Sequence, residues 1–182
     1  PIVIELPSGH IINLVGRIDR VDALRRDEGT YIRIIDYKSG SKSFKLSDVF
    51  YGLQIQLVTY LGAVLEGGDK VLGDKVLPGG MLYFKIDDPM IRQAGDVDEE
   101  GIEKAIMKEL RMKGLVLADV NLVKEMDKDI SGPSLIIPAR VNKGDVLGKS
   151  SAATMEQFDN LFRYSKKLLG SMAQEMMEGR FP

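Results

Sequence analysis

Two strand-like runs on either side of one charged turn constrain this chain more than any other feature. IINLVGRIDRVDAL, residues 11 to 24, and TYIRIIDYKSG, residues 30 to 40, flank RRDEG at 25 to 29. Both runs are rich in β-branched and aromatic residues, and a polar link ending in glycine reads as a chain reversal, so an antiparallel pair is expected. With the reversal centred on Asp27 and Glu28, Asp19 falls opposite Asp36. Strand alternation then sets Lys38 on the face of Asp36, together with Ile32 and Ile34. Two carboxylates and an ammonium are expected to converge at the end of an otherwise apolar face.

Two carboxylates side by side repel each other unless a cation or a shared proton relieves them. That repulsion is the physical reason to expect a divalent metal with oxygen ligands, Mg²⁺ or Mn²⁺, held by Asp19 and Asp36. Such a site suits phosphodiester hydrolysis: the metal polarises a nonbridging phosphate oxygen and lowers the pKa of a bound water, while Lys38 orients that water or stabilises developing negative charge. Asp-x-Lys at a strand end is also common as a solvated charge pair, so the position alone is not specific. Other metal chemistries are narrowed by composition. The chain has no cysteine and one histidine, His10, in a turn, which excludes disulfides, thiolate zinc sites, Cys nucleophiles and polyhistidine metal sites.

Along the rest of the chain, IVIEL and the turn PSGH precede the two runs, and together they read as an antiparallel meander. Val49, Leu53, Leu57 and Leu61 predict a helix from Ser47, its N-cap, to Leu65. GGMLYFKIDDP predicts a strand that enters from Gly79 and Gly80, read as turn punctuation, and stops near Pro89. Asp98 to Met112 predicts a charged helix. Beyond Gly114, LVLADVNLVKEMD reads as a short helix, SLIIPARV as a strand with Pro138 at an edge or bulge, and NKGDV as a hairpin turn. Thr154 to Glu178 predicts a long amphipathic helix with Phe158, Leu161, Phe162, Leu168, Leu169 and Met172 on its apolar side, closing at Gly179; Met172, Met176 and Met177 are expected at core or contact positions. The fold class is α/β of the α+β kind, a central mixed sheet starting with the meander and flanked by helices. No repeat or linker breaks the pattern, so residues 1–182 are expected to form a single domain.

At 182 residues with 44% hydrophobic content, the chain suffices for one good core. No apolar run approaches the roughly 20 residues that cross a bilayer, and PIVIELPSGH lacks the pattern of a signal peptide, so a soluble, cytoplasmic protein without membrane contact is expected. A net charge of -2 gives no overall case for nucleic acid. Between Arg17 and Lys45, however, eight basic residues face five acidic ones, and the candidate site lies in that stretch.

Gln56 and Tyr60 stand four apart, on one face of the predicted helix, where an amide and a phenol can brace the metal ligands or reach a DNA backbone; they read equally well as residues bordering the core. GRIDRVD at 16 to 22, DYKSG at 36 to 40 and QLVTY at 56 to 60, in that order and spacing, resemble the RecB-type branch of the PD-(D/E)xK nucleases, with its restriction-endonuclease-like core. Within that branch, YGLQIQLVTYL, GGMLYFKIDDP and the ending EMMEGRFP most resemble the nuclease domains of the B subunits of AddAB-type ATP-dependent helicase-nucleases. The resemblance implies a Mg²⁺-dependent deoxyribonuclease of exonuclease type, cutting single-stranded DNA in double-strand break processing with an A-type helicase-nuclease partner subunit. It makes Asp19 and Asp36 metal ligands, Lys38 the catalytic lysine, and Gln56, Tyr60 and Arg20 supporting or DNA-contacting residues. By the Gln-x-x-x-Tyr motif of the family that these residues resemble, Gln54 is the weaker alternative to Gln56, since only Gln56 has Tyr four residues on. A catalytically silent DNA-binding or scaffolding domain of the same fold is the alternative, against which the intact Asp-x-Lys argues.

Two departures from the family accompany the match. Its iron-sulfur cluster is held by cysteines flanking the nuclease core, and here there are none. Its first-motif residue comes from a helix before the meander that this sequence does not contain, so the chain is expected to be a fragment of a larger subunit, inactive in isolation if that helix is needed. Gly67-Gly68 and Gly79-Gly80 have no Gly-Lys-Ser/Thr after them, so no ATP-binding loop is expected.

Overall fold

The runs on either side of Asp27 and Glu28 pair as their pattern implies. In a computed structural model that describes residues 2–40, 43–89 and 98–180, β3 (Arg20–Arg26) and β4 (Gly29–Lys38) are antiparallel, with Arg20 opposite Ile35 and Arg26 opposite Gly29. Asp19 therefore approaches the register position of Asp36. Helix α2 (Gln56–Leu72) carries the chain across one face to β5 (Val76–Lys85), which pairs parallel to β4; β6 (Lys113–Leu117) is antiparallel to β5, and β10 (Ala152–Ala153) is parallel to β6. The five-stranded mixed sheet has the order β10-β6-β5-β4-β3.

β4 lies inside that sheet and is covered on both faces, which is why TYIRII is almost continuously apolar. On one face Ile32 and Ile34 meet Leu57, Val58 and Leu61 of α2 and Phe158 of α5 (Met155–Met177). On the other, Ile35 meets Leu82, Val116, Val123 of α4 (Val120–Met126), Ile137 and Val141. α5 begins at a capping box in which Thr154 and Gln157 bond each other's backbone N–H groups, and ends before Gly179 as its pattern implies. Among the described residues no helix is long and apolar enough to cross a membrane.

Several local expectations are corrected. The opening meander is divided: β1 (Ile2–Glu5) and β2 (Ile11–Leu14) form a separate two-stranded sheet, whose Ile4 and Leu6 pack with Ala173 and Leu169 of α5 rather than extending the central sheet. The helix expected from Ser47 to Leu65 is two helices, α1 (Leu46–Phe50) and α2. Gly52, at φ +76, breaks them, leaving Leu53 exposed and Ser47 without an N-cap role. Gly79 and Gly80 are not a turn but lie buried inside β5. The pairing passes from Ile32↔Pro78 to Arg33↔Gly80, leaving Gly79 as an extra residue, and Cβ atoms there would come within 3.0 Å of Ile32 O and 3.1 Å of Leu115 O.

The charged helix is found as α3 (Glu99–Leu110), capped by Asp98, and LVLADVNLVKEMD divides into the end of β6 and the short helix α4. SLIIPARV yields strand only from Arg140, in β8 (Arg140–Asn142), because Ser134 Oγ takes the N–H groups of Ile136 and Ile137 that a ladder would have used. β8 pairs with β7 (Gly132–Pro133) and, across the predicted NKGDV turn, with β9 (Val146–Leu147). Met172, Met176 and Met177 are exposed, which rules out the core half of the expectation that they take core or contact positions.

Candidate active site

The C-terminal ends of β4 and β5, which run in the same direction, deliver the polar residues. Ile32, Ile34, Asp36 and Lys38 alternate onto the face covered by α2, so the apolar stripe ends in a carboxylate and an ammonium. Asp36 is buried, at 4% exposure, and Lys38 Nζ lies 2.5 Å from its Oδ2. Apart from that ion pair, Asp36 Oδ2 has no hydrogen-bond partner among the described residues. A buried carboxylate is costly without a cation beside it, and here the Lys38 ammonium serves it.

Asp19 stands one residue before β3. Its Oδ2 accepts the N–H of Tyr37 at 2.9 Å, which fixes its carboxylate beside the Asp36–Lys38 segment. Lys38 is held from the other side: Nζ donates to Gln56 Oε1 at 3.0 Å, and Gln56 Nε2 donates to the Tyr60 hydroxyl at 3.1 Å. Gln56 is the first residue of α2 and Tyr60 lies one turn on, which is why the two share a face. Gln54 instead bonds Ser43 O and Asp48 Oδ2 and shapes the loop before the helix.

Three participants were not singled out from the sequence. Gly16 lies under the ring of Tyr60, where a Cβ would come within 2.6 Å of Tyr60 Cε1, so the glycine of GRIDRVD makes room for the tyrosine of QLVTY. Tyr83 is the register partner of Asp36 on β5 and lies beneath the ammonium, with Lys38 Nζ 5.8 Å from its ring centroid. Burial, and secondarily the Asp36 charge, push its pKa up to about 12. Lys85, the register partner of Lys38, pairs with Asp87 at 2.7 Å. Strand parity was the signal available for both β5 residues, but their register depends on the bulge at Gly79.

Arg20 is not brought to this cluster. It is the register partner of Ile35, on the other face, where it donates to Asp22 at 2.8 Å; that bond and a further one with Tyr37 raise its pKa. Burial pushes Asp22 up, but hydrogen bonds from Arg20 and Arg33 outweigh it and hold the carboxyl below its ordinary range.

Among the described residues no three carboxylate, imidazole or thiol groups converge on one point; Asp19 and Asp36 are the two carboxylates that the strand ends bring to this cluster. Mg²⁺ is commonly held by one or two carboxylates, with waters and substrate phosphates completing its octahedron. The all-oxygen donors, and an Asp36 Oδ2 whose one partner among the described residues is the Lys38 ammonium, fit that ion.

A mixed sheet flanked by helices, with Asp-x-Lys at the end of a central strand, is the architecture of restriction-endonuclease-like proteins. The sequence profile of the PD-(D/E)XK nuclease superfamily matches residues 1–182, and the chain belongs to that superfamily. It is similar to proteins named as the B subunit of an ATP-dependent helicase/deoxyribonuclease. The one from Ruminiclostridium cellulolyticum is 65% identical over 182 residues, 100% of this chain, and the one from Acetivibrio thermocellus 67% identical over 180 residues, 98% of it. That of Clostridium novyi is 55% identical over 179 residues, again 98% of this chain. The chain spans 16% of the length of each of these relatives.

Proposed function

We propose that residues 1–182 form a single metal-dependent nuclease unit that hydrolyses phosphodiester bonds of single-stranded DNA, as part of a B-type subunit working with an A-type helicase-nuclease partner at double-strand breaks. The observation that carries the reading is the chain of contacts Asp36–Lys38–Gln56–Tyr60 with Asp19 beside it, which joins all three sequence blocks in one place. The similarity to deoxyribonuclease subunits along the whole chain supports it from an independent direction.

Asp19 and Asp36 would hold Mg²⁺ or Mn²⁺, which supplies Lewis-acid polarisation of the phosphate and acidification of a bound water. Lys38 offers its remaining ammonium protons to a phosphate oxygen or to the attacking water, and its positive charge offsets charge that builds up on the phosphorane oxygens. Gln56 is a positioning residue: its amide holds the flexible lysine stem, and Tyr60 holds the amide. The buried setting of Asp36 strengthens each of these interactions relative to water. Arg20, on the far side of β4, is assigned to support of the Asp22 and Tyr37 region rather than to the reacting groups.

The test is cleavage of a labelled single-stranded oligonucleotide with Mg²⁺, by the chain and by the larger protein that carries it together with its partner, comparing Lys38→Met with the unmodified protein. Cleavage that requires the metal and falls at least about 10²-fold in the variant supports the reading. Equal cleavage by both proteins rejects it.

A further inference from the structure

Two lysines stand side by side where one would complete the motif. Lys38 and Lys85 are register partners on parallel strands, and the ladder bond from Ile86 N to Lys38 O, 2.9 Å long, holds that register to the strand ends. Met81 and Tyr83 pack into the cluster beneath α2, so alternation sets Lys85 on the same face as Asp36 and Lys38. Like charges directly opposite on neighbouring strands are unfavourable unless each has an anion. Each has one, and the two anions differ. Asp36 is buried, whereas the Asp87 side chain is 45% exposed and its lysine 25% exposed. A lysine whose carboxylate partner is exposed is held weakly and exchanges readily with another anion.

We propose that Lys85 binds a phosphodiester oxygen of the strand in the site, and that Asp87 occupies its ammonium when no strand is bound. Adjacent strands are about 4.8 Å apart, and the lysine stem is long and flexible, so Lys85 reaches the scissile phosphate or the one next to it while Lys38 stays with Asp36 and Gln56. Asp87 is then a positioning residue that acts through Lys85: it keeps the second ammonium from crowding the first and yields to phosphate. The proposal rests on the nuclease reading and names one of its substrate contacts.

The experiment measures binding of a fluorescein-labelled single-stranded oligonucleotide to the whole chain by anisotropy, across a salt series, with Ca²⁺ in place of Mg²⁺ to prevent cleavage. Lys85→Gln is expected to weaken binding about five-fold and to flatten the plot of log affinity against log salt by about 0.7, the value for one lost phosphate contact to single-stranded DNA. Lys85→Arg restores both. Asp87→Asn acts in the opposite direction and tightens binding, because the competing anion is gone; a merely structural pair gives a loss in both variants. The inference is overturned if Lys85→Gln matches the unmodified chain in affinity and slope, if Asp87→Asn weakens binding, or if the unmodified chain binds no DNA. Mn²⁺ binding by the unmodified chain and Mg²⁺-dependent cleavage by the larger protein that carries it, together with its partner, are read separately. Failure there removes the nuclease reading, whereas success there with an unchanged Lys85→Gln removes this inference alone.

Discussion

Lys38 and Gln56 are 18 residues apart in sequence and joined by a 3.0 Å hydrogen bond, so the ammonium at the end of β4 is aimed by the first residue of α2. Without that bond the lysine keeps its charge and its carboxylate but loses its direction. Gln56→Ala is expected to lower kcat about 10- to 100-fold, the range for partners that orient a reacting group, and to leave Mn²⁺ affinity unchanged because Gln56 bonds neither carboxylate. Single-turnover cleavage beside a metal titration separates the two effects; a parallel loss of metal affinity would show that Gln56 supports the carboxylates instead.

Gly16 and Tyr60 make a steric prediction that needs no activity assay. A methyl group at residue 16 meets the tyrosine ring at 2.6 Å, well inside contact distance. Gly16→Ala is expected to cost about 1–3 kcal/mol through overpacking, and the double variant with Tyr60→Ala to recover part of it, since the obstacle is gone. Denaturant melts of the single and double variants form the cycle; strictly additive losses would mean that the two do not touch.

Asp22 is the pH-sensitive element of the far face. Its folded-state pKa is depressed by Arg20 and Arg33, so it contributes stability above its unfolded value, near 3.9, and that contribution is lost as pH falls through the lower folded value. Asp22→Asn should lower stability at neutral pH and reduce the acid-side slope below about pH 4. Urea midpoints from pH 7 down to pH 3 check the sign; a variant that parallels the unmodified protein throughout would remove the pair from the account.

Phe158, fully buried, joins α5 to α2 and to the apolar stripe that ends at Asp36. Phe158→Ala is expected to cost about 3–5 kcal/mol and to reduce cleavage only as far as the folded fraction falls. Activity per folded molecule, from melts and assays at the same temperature, distinguishes loss of fold from loss of chemistry.

The residues that were legible in the sequence are those whose positions depend on local pattern. The turn at Asp27 and Glu28 determines the β3–β4 register, so Asp19, Asp36 and Lys38 could be set together from spacing alone, and the interval between Gln56 and Tyr60 survives the helix break at Gly52. Non-local features were hidden. Nothing in IVIEL says that it pairs only with β2 and lies on α5, because alternation gives a strand its faces but not its neighbours. Gly79-Gly80 has a turn composition, and only the close approach of Ile32 and Leu115 makes it a bulge within a strand. Tyr83 and Lys85 were out of reach for the same reason: their alignment with Asp36 and Lys38 is set by that bulge.

The central claim is that Asp19 and Asp36 form a cation site on which cleavage depends, and calorimetric titration of Mn²⁺ tests it most directly. The unmodified chain should show saturable binding, and Asp36→Asn, verified as folded by circular dichroism, should lose it, because the substitution removes one of the two carboxylate charges on which the site is built. Equal Mn²⁺ binding by the two folded proteins, or none by either, would contradict the account.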